Sequence, residues 1–111
     1  EDSIAVLGTP GGSRIISMVF LGALEYLQGK PVEDWVARPR IHHQYLPDVI
    51  QHEPGVISEE AMTELQKRGH SFQDVGREYG NMQAILIDKK SGEVTAASDP
   101  RGIGSARVIT Q

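Results

Sequence analysis

The chain has 111 residues, of which 39% are hydrophobic and 23% charged, the size and composition of one folded domain, so disorder along its whole length is excluded. Its net charge of −4 argues against nucleic acid as the main partner, because phosphate binding needs a basic surface. With no cysteine, disulfides, thiolate catalysis and Cys-ligated zinc are excluded, and with 5% aromatic residues the core must be built from Leu, Ile, Val and Ala. No apolar run approaches the roughly 20 residues that span a bilayer. The longest, Ile15 to Leu27, is interrupted by Ser17, Gly22 and Glu25.

In chain order, Glu1-Asp2-Ser3 leads without an initiator Met into a predicted strand over 3–7, the start expected of a piece of a longer protein. Gly8-Thr9-Pro10-Gly11-Gly12 then breaks regular structure, and Ser13 is the expected N-cap of a helix over about 14–28. Apolar residues cover most of that helix's circumference, which predicts burial on several sides and, in so small a chain, a neighbour from outside it. Gly29 stops the helix. Pro31 opens a second helix, with Glu33 and Asp34 in its first turn, and Arg38-Pro39 ends it. Residues 41–47 read as irregular and 49–52 as a strand. A third helix, over 59–68, runs from Ser58 to Gly69. Residues 71–75 read as a short strand, and 83–88 with 93–97 as a hairpin through Lys89-Lys90-Ser91-Gly92. The tail from Asp99 is loop-like. There is no repeat or linker, and the sum is a single α+β domain over 1–111.

The main chemical signal is the strand–glycine turn–helix segment. Paired glycines reach backbone conformations closed to other residues and allow close approach to a ligand. Ahead of a helix they aim unpaired N–H groups outward, where the dipole favours negative charge. The pattern fits a cradle for an anion or for an oxyanion formed in acyl transfer, and equally a tight turn with no ligand. A Walker loop is excluded because Gly12-Ser13 is followed by Arg14, and the glycine spacing excludes a dinucleotide fingerprint. A metal site would have to use His42, His43, His52 and Glu53. Adjacent His42 and His43 point to opposite sides of an extended chain, so packing and hydrogen-bonding roles are expected, with no metal and no cofactor. Glu64 and Arg68 suit an i,i+4 pair on a solvated helix face. Asp99-Pro100-Arg101 reads as a turn with Asp99 bonding the local backbone. No serine sits in a nucleophile elbow, and no Ser or Thr stands at the N-terminus where the α-amine could serve as base. The chemistry on offer is a stabiliser without an attacker.

The segment Leu7-Gly8-Thr9-Pro10-Gly11-Gly12-Ser13-Arg14-Ile15-Ile16 resembles the Gly-Ser/Thr-Pro-Gly-Gly-Ser-Arg-Ile segment of γ-glutamyltranspeptidases. Ala37 to Pro47 resembles that family's Ala-Pro-Arg-Phe-His-His-Gln-Trp-Leu-Pro run, and Ala97-Ser98-Asp99-Pro100-Arg101 its Ala-Ser-Asp-Pro-Arg. The three motifs stand in the family's order, and the resemblance covers essentially the whole chain as the C-terminal part of the small subunit. It implies part of an N-terminal-nucleophile hydrolase αββα sandwich, from a precursor that cleaves itself into two subunits. The new N-terminal Thr attacks a γ-glutamyl amide such as glutathione, and water or an amino acid or peptide resolves the acyl-enzyme. Gly11 and Gly12 match the glycines that supply the oxyanion-hole N–H groups, and so are the implied catalytic and substrate-binding residues. The nucleophilic Thr, the paired serines and the acidic residue that hold the substrate have no counterpart in the chain. They are expected upstream or on the large subunit, so the chain alone is expected to be inactive and prone to self-association. The resemblance further implies a periplasmic or secreted protein. A non-catalytic anion-binding or assembly module, or an acylase or poly-γ-glutamate-processing enzyme of the same fold, are the alternatives.

Overall fold

A computed structural model describes residues 2–111. The elements run β1 (Ser3–Gly8), a 3-10 turn (Gly12–Arg14), α1 (Ile15–Leu27), α2 (Val32–Ala37), β2 (Ile41–His42), β3 (Ile50–His52), α3 (Glu59–Lys67), β4 (Phe72–Asp74), β5 (Gln83–Asp88) and β6 (Val94–Ser98). The α+β class read from the sequence is the class observed. The chain divides into two compact units, Glu1–Arg38 with Gly80–Gln111, and Pro39–Tyr79.

In the first unit the strands form an antiparallel sheet in the order β1-β5-β6, with Ser3 opposite Asp88 and Gly8 opposite Gln83. The strand period of two sends Ala5, Leu7, Ala84 and Leu86 to one face and Ile4, Val6 and Ile85 to the other. The first face packs on the helices. Gly22 of α1 is the point of closest approach, since a Cβ there would lie 2.7 Å from Leu7 Cδ1. Ile4, Val6 and Ile85 stay exposed, so the second sheet face is apolar and uncovered.

Helix α1 departs from expectation in two ways. Ser13 falls inside the 3-10 turn, and Arg14 takes the N-cap position with no side-chain cap. Within the chain the helix is buried on one face only, through Met18, Leu21 and Gly22. Ile16, Phe20 and Leu27 are 79%, 60% and 76% exposed. An apolar residue left in water forgoes about 1.5–3 kcal/mol of burial, so this stripe leaves stabilisation unrealised within the chain. Helix α2 buries Val32, Trp35 and Val36. Trp35 Nε1 donates to Lys30 O at 2.9 Å, and the ring meets Tyr26 edge-on at 5.3 Å. Arg38 pairs with Glu25 of α1.

The loop of the β5–β6 hairpin is closed by Asp88. Its Oδ1 accepts the backbone N–H of Lys90 at 2.8 Å and of Ser91 at 3.0 Å. The bonds from Ser91 and Lys90 favour the charged form and hold the Asp88 carboxyl below its ordinary value of 3.8. A lowered folded-state value means that this contribution is present above pH 3.8 and is lost as pH falls from there through the lowered value. An NMR titration of the Asp88 carboxyl carbon is expected to show a midpoint below 3.8, and a midpoint at or above it would contradict the closure described.

In the second unit β2 and β3 pair antiparallel, with Ile41 opposite His52, and β3 and β4 pair parallel, with Ile50 opposite Phe72. The two-residue strand β2 lies where an irregular segment was expected. Helix α3 starts at Ser58, whose Oγ accepts the Ala61 N–H at 3.1 Å. Glu64 and Arg68 approach to 3.7 Å on its exposed face, as the spacing predicts. The interior of this unit is polar. Glu53 is buried, accepting the N–H of Arg40 at 2.8 Å and of Tyr79 at 3.2 Å, while the buried Arg40 guanidinium donates to Tyr79 O.

Candidate active-site loop

Residues 9–11 connect β1 to the 3-10 turn, where a strand hands over to a helix. The turn needs its glycines. Gly11 has φ 152° and Gly12 φ 59°, both in regions that side chains disfavour. The surroundings differ between them. A Cβ on Gly11 would come within 2.4 Å of Met18 Cε, whereas a Cβ on Gly12 would meet nothing within 4 Å. Gly11 O accepts the Arg14 N–H at 3.2 Å and closes the turn. The Gly12 N–H opens that turn and the Gly11 N–H precedes it, so neither finds an acceptor inside the helix. Two successive backbone donors at a helix start, with exposed Cα atoms, can receive a carboxylate, a phosphate or a developing oxyanion.

Neighbouring groups fix the loop. Thr9 Oγ1 accepts the Asn81 N–H at 3.0 Å and donates to Pro10 O at 3.0 Å. Asn81 lies just ahead of β5. The next residue, Met82, donates its N–H to Asp99 Oδ2 at 2.8 Å. Asp99 Oδ1 accepts from Arg101 N at 2.9 Å and from Arg101 Nη1 at 3.1 Å, and the guanidinium reaches Val36 O and Arg38 O. Asp99 therefore bonds its local backbone, as the turn reading expects, and also anchors β5. Neither Thr9 nor Asn81 stands out in the sequence as a functional residue. Thr9 at least lies within the glycine motif, but nothing near Asn81 marks it.

The histidines have separate partners. His42 Nε2 meets Gln44 Oε1 at 2.7 Å, His43 Nε2 meets Asp48 Oδ1 at 2.8 Å, and His52 Nδ1 meets Glu53 O at 2.8 Å. His42 is buried and His43 exposed, the opposite facing expected of neighbours on an extended segment. Among the described residues no three His, Asp or Glu side chains gather as they would around a metal ion.

A strand-to-helix glycine turn on an antiparallel sheet with helices on one face defines an α+β chain whose loop presents two backbone N–H groups at a helix start. The gamma-glutamyltranspeptidase family model matches residues 1–109, and the chain belongs to that family. The glutathione hydrolase proenzyme of Pseudomonas aeruginosa is 41% identical over 108 residues, covering 94% of this chain and 19% of that protein. The Escherichia coli glutathione hydrolase proenzyme is 36% identical over 101 residues, covering 88% of this chain and 17% of the relative. Among solved structures, the gamma-glutamyltranspeptidase of Pseudomonas nitroreducens complexed with L-DON superposes with a TM-score of 0.84 at 38% identity, covering 96% of this chain and 55% of that one. The chain thus spans about a fifth of the length of these curated relatives, both of them proenzymes. Part of an N-terminal-nucleophile hydrolase sandwich, the fold the resemblance implies, is the fold shared with that structure.

Proposed function

We propose that this chain is the C-terminal part of the small subunit of a γ-glutamyltranspeptidase, and that Gly11 and Gly12 form its oxyanion hole. The observation that carries the reading is the pair of glycines at φ 152° and 59°, N–H groups clear of the helix, in the segment that matches the family. In the reaction a Thr hydroxyl from the rest of the small subunit adds to the γ-glutamyl amide carbonyl, its proton passing to the N-terminal amine. The carbonyl oxygen takes the negative charge, and the two N–H groups stabilise it. Collapse expels the amine, which takes up the proton, and leaves a γ-glutamyl ester. Water then releases glutamate, or an acceptor amine forms a new γ-glutamyl amide. Donors preorganised for the oxyanion serve both halves of the reaction.

The uncovered apolar surfaces support the partners in this reading. One is the α1 stripe of Ile16, Phe20 and Leu27, and the other the outer sheet face of Ile4, Val6 and Ile85. Exposed apolar area of this kind marks an interaction surface, and the remainder of the small subunit and the large subunit are the proposed cover. Glutathione as donor and a periplasmic or secreted location belong to the same proposal and rest on the family alone.

The test is the intact mass of the mature product of the whole gene. Two chains are expected, the smaller beginning with Thr and containing this sequence, and the mixture should release chromophore from γ-glutamyl-p-nitroanilide. A single uncut, inactive chain that still binds sulfate or glutamate would favour a non-catalytic anion-binding module instead.

A further inference from the structure

We propose that Thr9 is a positioning residue that aims the Gly11 N–H at the oxyanion, a role that rests on the oxyanion reading of the glycines. The Pro10–Gly11 peptide is trans, since the cis bond recorded in the chain is Leu46–Pro47. In a planar trans peptide the C=O and N–H point in opposite directions. Whatever holds Pro10 O therefore sets the direction of the Gly11 N–H. Thr9 Oγ1 holds it, donating its one proton to Pro10 O at 3.0 Å. Met18 Sδ, at 4.0 Å from Thr9 Oγ1, is a weak acceptor and the poorer partner.

The hydroxyl is itself fixed from a distance. It accepts the N–H of Asn81, 72 positions along the chain, at 3.0 Å. Asn81 is in turn tied to its neighbours. Its Oδ1 accepts from Gln83 Nε2 at 3.1 Å, and Gly102 packs so closely that a Cβ would lie 2.5 Å from that oxygen. The adjacent Met82 N–H is tied to the buried carboxylate of Asp99. On the other side of the loop, Met18 Cε presses against Gly11 Cα. The Pro10–Gly11 peptide is thus held on one side by Thr9 and from the helix by Met18. A hydroxyl that receives from the segment leading into β5 and gives to this one carbonyl couples the start of that strand to the donor. Preorganisation of that kind is what makes an oxyanion donor effective.

The experiment uses the full-length, self-processed protein with γ-glutamyl-p-nitroanilide, and compares Thr9→Val, Thr9→Ser and Gly11→Val. Thr9→Val keeps the shape and loses the hydroxyl. It is expected to lower kcat about 10-fold or more with KM little changed, the effect of a misaimed donor. Thr9→Ser, which keeps the hydroxyl, is expected to restore most of kcat. If Thr9→Val does not mature, Thr9→Ala takes its place, because the smaller side chain leaves room for a water on the Asn81 N–H. Wild-type kcat in the Thr9 variant beside a crippled Gly11→Val overturns the role of Thr9 and spares the oxyanion reading. Wild-type kcat in both overturns the oxyanion reading, and the Thr9 proposal with it. A fall in kcat that serine does not restore, together with a lower melting temperature, would mean that Thr9 only staples the loop, and would likewise overturn the proposal.

Discussion

Replacing Gly11 with valine is expected to lower kcat of the mature enzyme by about 100-fold or more, with a smaller change in KM, as loss of one oxyanion donor does. Two features act together at this position. The backbone sits at φ 152°, which a β-branched residue resists, and the first added carbon would lie 2.4 Å from Met18 Cε. Met18 is almost fully buried, so its methyl has little space to retreat into. The peptide must turn instead, and the N–H turns with it. Shortening the obstacle separates the two causes. Met18→Ala combined with Gly11→Val should recover part of kcat, because the collision is relieved while the backbone strain remains. Gly12 offers the contrast. Its Cβ direction is open and only φ 59° opposes substitution, a cost of about 1–2 kcal/mol. Gly12→Asn, which tolerates that conformation, is expected to keep more activity than Gly12→Val. Steady-state kinetics on the four variants decide the matter, and an unchanged kcat in both glycine-to-valine variants would remove these N–H groups from the reaction.

Asp99→Ala is expected to destabilise the first unit by about 3–5 kcal/mol, because it strands a buried charge. The side chains of Asp99 and Arg101 are 0% and 8% exposed. Without the carboxylate, the N–H groups of Met82 and Arg101 lose this acceptor, and the guanidinium loses its buried counter-ion. Removing both ions with apolar replacements of similar size, Asp99→Leu with Arg101→Met, should cost less than Asp99→Ala alone, since no unpaired charge is left behind. Urea unfolding of the mature protein, followed by circular dichroism, reads both. An Asp99→Ala variant within 1 kcal/mol of wild type, well under the roughly 3 kcal/mol expected of a broken buried pair, would show that water reaches the pair and screens it.

Much of the local structure was legible because its causes are local. The glycines after β1, Ser58 ahead of α3, Gly29 and Gly69 after their helices, and the Lys89–Gly92 hairpin loop act through a residue's own dihedrals or a neighbour a few positions away. The element bounds accordingly fall within a residue or two of expectation. Strand β2 was missed for the complementary reason: Ile41–His42 is extended only because β3 pairs with it, and nothing within two residues imposes that. Ser13 was misplaced because the chain first makes a 3-10 turn at Gly12–Arg14, which moves the start of α1 past the serine.

The sequence by itself determined the family, through three motifs in order, and the paired glycines of the candidate site, because a left-handed turn ahead of a helix admits few other residues. Only the tertiary structure decided which faces of α1 and of the β1-β5-β6 sheet are covered, and which buried polar groups meet. Glu53 finds the N–H of Tyr79 26 residues away, and Thr9 finds Asn81 across 72. Such partners are chosen by packing at long range, where burial makes an unmet hydrogen bond costly, and no spacing along the chain records that choice.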